Sequence, residues 1–143
     1  RTFDAIGFRM GENFEKLEFN RKVDVLVAIH VMGWKEFRVS EHVWNFMGEG
    51  GVSWIVHDLM GNHVPCYSTL LTSTWDIVRK FNHMLLIKNV HLDGVLWQCK
   101  LGEVGTVQEY SIAKTEMLAI CHAGLKAVGY DIKTFLKEEG KMG

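Results

Sequence analysis

Proline is nearly missing from this chain: Pro65 stands alone among 143 residues. Long disordered linkers, which are rich in proline, are therefore not expected. A disulfide framework is missing too. Cys66, Cys99 and Cys121 are odd in number and widely spaced, so they read as free thiols in a reducing cytosol. No charge of one sign dominates: 16 basic and 17 acidic residues leave a formal net charge of −1. That balance argues against extended nucleic acid as a partner, which would demand a basic excess, while leaving room for a local basic pocket. No apolar run approaches the roughly 20 residues that span a bilayer, and no signal-peptide pattern is visible. A membrane partner is not expected.

Recognisable catalytic machinery is also absent. Ser68 lacks a Gly-x-Ser-x-Gly elbow, and Cys121 falls on an apolar stripe. His57-Asp58, His63 and Cys66 carry donor atoms that suit zinc, but no Cys-x-x-Cys or His-x-x-x-His pair accompanies them. We expect no catalytic residues, no metal and no cofactor, and a binding protein rather than an enzyme.

What is present is patterned apolar sequence, 48% of the residues, on a length that suits one domain over 1–143. Residues 1–19 read as an irregular lead-in. A helix is expected from Asn20, a plausible N-cap, to Met32; Val23, Leu26, Val27, Ile29 and Val31 make it apolar on most sides, and Gly33 stops it. Glu36–Val39 suits a short strand, and Val52–His57 alternates as a strand does between glycine-containing turns at 48–51 and 58–62. Between them, Val43-Trp44-Asn45-Phe46-Met47 has two readings. It completes the core as a strand, or it presents an aromatic surface to a partner or to another copy.

Ser68 or Thr69 can cap a second helix running from about Thr69 to His83, with Leu71, Thr74, Trp75, Val78 and Phe81 on one face. Three strands follow, Leu85–Val90, Val95–Leu101 and Thr106–Ile112, with Asp93-Gly94 as the first hairpin turn. Short connections imply antiparallel pairing. Thr115 caps a third helix with Leu118, Cys121, Leu125 and Val128 as its stripe, ended by Gly129. Residues 130–143 form a short helix over Asp131–Glu139 or a tail. The order implies an α+β fold, a small, mostly antiparallel sheet covered by three main helices.

Three segments carry a family resemblance. They are Asp24-Val25-Leu26-Val27-Ala28 through Val31-Met32-Gly33-Trp34, Pro65-Cys66-Tyr67-Ser68-Thr69 through Thr74-Trp75-Asp76-Ile77-Val78, and Thr115 through Leu118-Ala119-Ile120-Cys121 to Gly124-Leu125-Lys126-Ala127-Val128-Gly129. In order and spacing, over roughly residues 20–130, they resemble the phage ABA-sandwich family, small proteins of Bacillus-type phages. The resemblance implies an α/β/α sandwich and a phage origin, hence action in the host cytoplasm. It implies no activity.

The candidate site residues lie at two helix starts, where unpaired N–H groups and the helix dipole favour an anion. Tyr67, Ser68 and Thr69 open one helix; Lys114 and Thr115 open another. Trp34, Tyr67 and Trp97 offer faces on which a base can stack. Together they suggest a small anionic or nucleotide ligand. A host protein and self-association into a homo-oligomer are the further partners expected.

Overall fold

The computed structural model describes residues 14–15, 17–38, 43–47, 53–57, 64–103 and 109–141. The chain divides into two compact units, Arg1–Pro65 and Cys66–Gly143.

In the first unit, helix α1 spans Phe19–Leu26. It starts one residue before Asn20, the expected cap; Glu18 occupies the N-cap position and no side chain caps the helix. Residues 22–28 are all buried, so the expectation of an apolar, enclosed helix holds. One of them is Asp24, fully buried, and a lone carboxylate there would be strongly unfavourable. Arg21 sits one turn back, its Nη1 2.7 Å from Asp24 Oδ2, while Nη2 donates to the Val64 carbonyl at 2.8 Å. The guanidinium thus joins the helix to the end of the unit.

The helix does not continue uniformly to Met32. Val27–Val31 widens into a π-helical turn, in which the Met32 N–H reaches back five residues to the Val27 carbonyl at 2.9 Å. Gly33, at φ +74°, then reverses the chain so that the Trp34 N–H closes on Ala28 at 2.9 Å. Three strands follow: β1 Lys35–Arg38, β2 Val43–Met47 and β3 Ser53–His57. They form an antiparallel meander with Glu36 opposite Phe46, and Trp44 opposite Val56. Val43–Met47 is therefore a strand, the first of its two expected readings as far as backbone goes. The turns anticipated at 48–51 and 58–62 lie outside the described residues.

In the second unit, α2 covers Leu71–Val78. It is shorter at both ends than expected. Its N-cap is Leu70, not Ser68 or Thr69, and no side chain caps it. The cause is one residue inside the helix. The Thr74 hydroxyl, fully buried, lies 2.6 Å from the Tyr67 carbonyl and 2.9 Å from that of Leu70. Residues 66–70 are held as a separate turn, with Thr69 and Leu70 N–H groups donating to the Cys66 carbonyl. At the other end, tight bonds from Lys80 to Ile77 and from Phe81 to Val78 stop the helix before His83.

Strands β4 His83–His91, β5 Gly94–Gly102 and β6 Ser111–Ala113 make an antiparallel sheet in that order. The hairpin loop is Leu92-Asp93, one residue earlier than expected; His91 pairs Gly94, which opens β5 with φ +141°. The third strand is confined to its expected C-terminal part, and 104–108 lie outside the described residues. Helix α3, Glu116–Ala127, packs on β5 and β6. The period-2 alternation of strands turns Cys99, Leu101, Ser111 and Ala113 toward it, and all four are buried. They meet Ala119, Ile120, Cys121, Ala123 and Leu125, also buried. Each of the large aliphatics contributes roughly 2 kcal/mol by leaving water. The expected stripe is right at Cys121 and Leu125, but Val128 at its end is exposed. Helix α2 packs on α3, and α4, Ile132–Glu138, follows it, capped by Asp131 on the Thr134 N–H at 3.1 Å.

Helices and antiparallel sheet define an α+β sandwich, the class read from sequence. All three cysteines are free, with Cys99 and Cys121 buried and Cys66 half-buried. Replacing Thr74 by valine keeps the shape but leaves the Tyr67 carbonyl without its donor. We expect a loss of about 1–3 kcal/mol in urea unfolding, with Thr74→Ser nearer the wild type.

Candidate functional site

The sequence-derived site residues fall into three places. Trp34 belongs to the first unit, where it is buried behind the end of α1. Tyr67, Ser68 and Thr69 share the turn ahead of α2. Tyr67 and Ser68 are each 2% exposed, and Thr69 is exposed. The Tyr67 ring and the Ser68 side chain thus face the interior, while the start of α2 lies open beside them. The N–H groups of Leu71 and Thr72 have no acceptor among the described residues, and Trp75, one turn on, is 40% exposed. Trp75 was assigned to a packed face from its spacing with Leu71 and Val78; Thr74 and Ile77 are the buried residues of α2 instead.

Trp97 lies on β5, and Lys114 and Thr115 follow directly after β6, the strand beside it. Ala113, the residue before Lys114, lies directly opposite Trp97 on β6. On the other flank Trp97 pairs Lys88 of β4, whose Nζ sits 5.7 Å from the centre of the indole. Lys88 and Lys114 are exposed and Trp97 is partly so. The indole stands where cover by α3 gives out: on that face of β5 the chain passes from exposed Val95 to buried Cys99. An aromatic face with a cation over it suits a ligand that is itself aromatic and anionic. The start of α3 is occupied differently. Thr115 Oγ1 accepts the Leu118 N–H at 3.2 Å, and Glu116 supplies a negative charge in the first turn. That helix start is satisfied from within.

Lys88 escaped the sequence reading, although a signal was available. Counting the hairpin from a Leu92-Asp93 loop puts residue 88 opposite 97.

Two further groups have shifted acidities. Burial pushes the Cys99 thiol up to about 12, opposed by a hydrogen bond from the Lys100 backbone, so it is no nucleophile at neutral pH. Burial also pushes His122 of α3 down to about 4, opposed by the Ile112 backbone. On the sheet face away from α3, Asn89, His91, Leu96, Gln98 and Ile112 line a shallow depression of about 310 Å³, where Asn89 donates to Gln98 at 2.8 Å. Among the described residues no group of three His, Cys, Asp or Glu side chains is placed to hold a metal, and no helix is long and apolar enough to cross a membrane. Asp58 and His63, weighed as ligands from sequence, lie outside the described residues.

An antiparallel sheet with a capped helix packed on one face, and Lys88 beside the Trp97 indole, defines a small α+β domain. Residues 25–125 match the Phage ABA sandwich domain, more than half of the chain, and the protein belongs to that family. No curated protein and no solved structure matches it.

His122 makes stability depend on pH. Its folded pKa lies below the ordinary 6.5, so between pH 6.5 and 4 the unfolded state binds the extra proton and stability falls as pH falls. The loss approaches ~3 kcal/mol by pH 4. His122→Leu should remove that component, which denaturant titrations of both proteins at pH 7, 5.5 and 4 would read as a flatter profile for the variant.

Proposed function

We propose that this protein is a phage-encoded binding protein that sequesters a nucleotide-type signalling molecule of bacterial anti-phage defence in the host cytoplasm. The observation that carries the reading is the Trp97 indole with Lys88 over its face; Lys114 follows Ala113, the residue paired with Trp97. The base would stack on the indole and the phosphates would lie against the two ammonium groups. The uncapped start of α2 with exposed Trp75 offers a second place for a phosphate. Membership of a phage family supplies the setting. Binding without turnover accords with the Cys99 thiol, which burial keeps protonated.

The test is a thermal-shift and calorimetric titration against cyclic and ADP-ribose-derived nucleotides. A ligand that raises Tm should bind about tenfold or more weakly to Trp97→Ala, since a lost stack is worth roughly 1–3 kcal/mol. Lys114→Ala should weaken it as well. Silence across the panel would sink the proposal, and recovery of a chemically altered nucleotide after heating would mark an enzyme instead.

A second reading, an inhibitor that engages a host protein, is favoured by the hairpin tip. Val90 is 72% exposed and Leu92 fully so, apolar surface that ordinarily marks an interface. On this reading Leu92→Ser abolishes the phage benefit in infected cells and leaves nucleotide binding intact.

A further inference from the structure

The sheet of the second unit packs one face on α3. Its other face carries the depression lined by Asn89, His91, Leu96, Gln98 and Ile112. Strand register sets these side chains together. Asn89 stands opposite Leu96, and Gln98 lies between Ile87 and Ile112. His91 stands opposite Gly94, which has no side chain to fill the next row. At about 310 Å³ the hollow lies at the small end of ligand sites, which run upward from roughly 300 Å³.

Leu96 and Ile112, both exposed, give the hollow its aliphatic surface. Asn89 and Gln98 are half-buried, and the Asn89 side-chain amide donates to the Gln98 side-chain carbonyl at 2.8 Å. That bond uses one group of each amide. The side-chain oxygen of Asn89 and the side-chain nitrogen of Gln98 make no other hydrogen bond among the described residues. Turning both amides over exchanges their roles and leaves the same set, one acceptor and one donor. No carboxylate or ammonium lines the hollow. The next residue of β5 on this face, Lys100, has its Nζ 5.3 Å from the centre of the Tyr110 ring.

A ligand matched to these groups is uncharged where it enters, apolar on its flat faces, and carries a donor beside an acceptor on one edge. A charged group would leave water for a place with no counter-charge. An aliphatic ligand would leave both amides without partners. A nucleobase meets all three conditions, because its pairing edge sets an amino or imino donor next to an acceptor.

We propose that this hollow is a nucleobase site. The ring lies against Leu96 and Ile112, and its edge donates to the Asn89 carbonyl and accepts from the Gln98 amide. The site is on the opposite sheet face from Trp97 and does not depend on it.

Titration of the isotope-labelled full chain with adenosine, guanosine, cytidine and uridine, followed by NMR, tests this. At least one nucleoside should saturably shift the side-chain amide signals of Asn89 and Gln98 together with the backbone signals of Leu96 and Ile112. Asn89→Ala and Gln98→Ala should each weaken its binding roughly fivefold, the worth of one neutral hydrogen bond, and Trp97→Ala should leave it unchanged. The same nucleoside methylated on its edge nitrogen, so that it cannot donate, should lose about as much. No shift with any of the four overturns the proposal. Shifts confined to Trp97 and Lys88 overturn it too, while supporting the stacking site on the other face. Full affinity for the methylated nucleoside removes the role given to the amides and overturns it as well. Should an alanine variant fail to fold, the wild-type signals and the methylated nucleoside decide.

Discussion

The second unit depends on a hydroxyl buried inside a helix. Thr74 holds the Tyr67 carbonyl from seven residues away, and everything about the entry to α2 follows from that. The turn at 66–70 is tied down as a unit, Tyr67 and Ser68 are drawn inside, and the helix begins at Leu71 with no hydroxyl left to cap it. Elsewhere the same chemistry is arranged conventionally: Thr115 and Asp131 each accept the N–H three residues on. One helix start in the unit is therefore open to solvent and two are closed from within, a difference that comes from where a single threonine points.

The sheet divides its labour by face. Toward α3 it buries Cys99, Leu101 and Ala113, and there the small residues Ala119 and Ala123 let helix and strands close together. Past the end of that cover the same face carries Trp97 and Lys88, and the opposite face carries Leu96, Gln98 and Ile112. Stability and recognition are thus properties of different stretches of the same strands. The buried stretch also fixes the register that sets Ala113 of β6 opposite Trp97.

Much of this was legible in the amino-acid sequence, and the reasons differ by element. Hydrophobic alternation located the strands, and Thr115, Gly129 and Asp131 marked helix ends because a cap is a local interaction between near neighbours. The limits of α2 were not legible, since Thr74 acts on a carbonyl outside the helix and its hydroxyl carries no periodicity. The exposure of Trp75 was missed for a related reason. The buried stripe of α2 runs through Thr74 and Ile77, and apolar spacing alone cannot tell a packed tryptophan from an open one. The buried Asp24–Arg21 pair escaped notice as well: a charged residue on an apolar helix is visible in the sequence, but its enclosure depends on what surrounds it. The Lys88–Trp97 pair required the hairpin register, which a one-residue error in the loop hides completely.

The wide turn at the end of α1 has the form of a one-residue insertion into an α-helix. Its backbone bonds span five residues where four is usual, so the helix carries a spare residue between Val27 and Val31 and hands the chain to Gly33 about 100° further round its axis. A joint of this kind gives the chain a tolerance in length. Loss of one residue there can be absorbed by tightening to ordinary α-helical winding, with the segment before it undisturbed. In α3, where nearly every position from Ala119 to Leu125 is enclosed, the same loss would turn the whole buried face away from the sheet. Variation in chain length among related proteins should therefore be easier to accommodate at residues 27–31 than anywhere in the helix that the sheet grips.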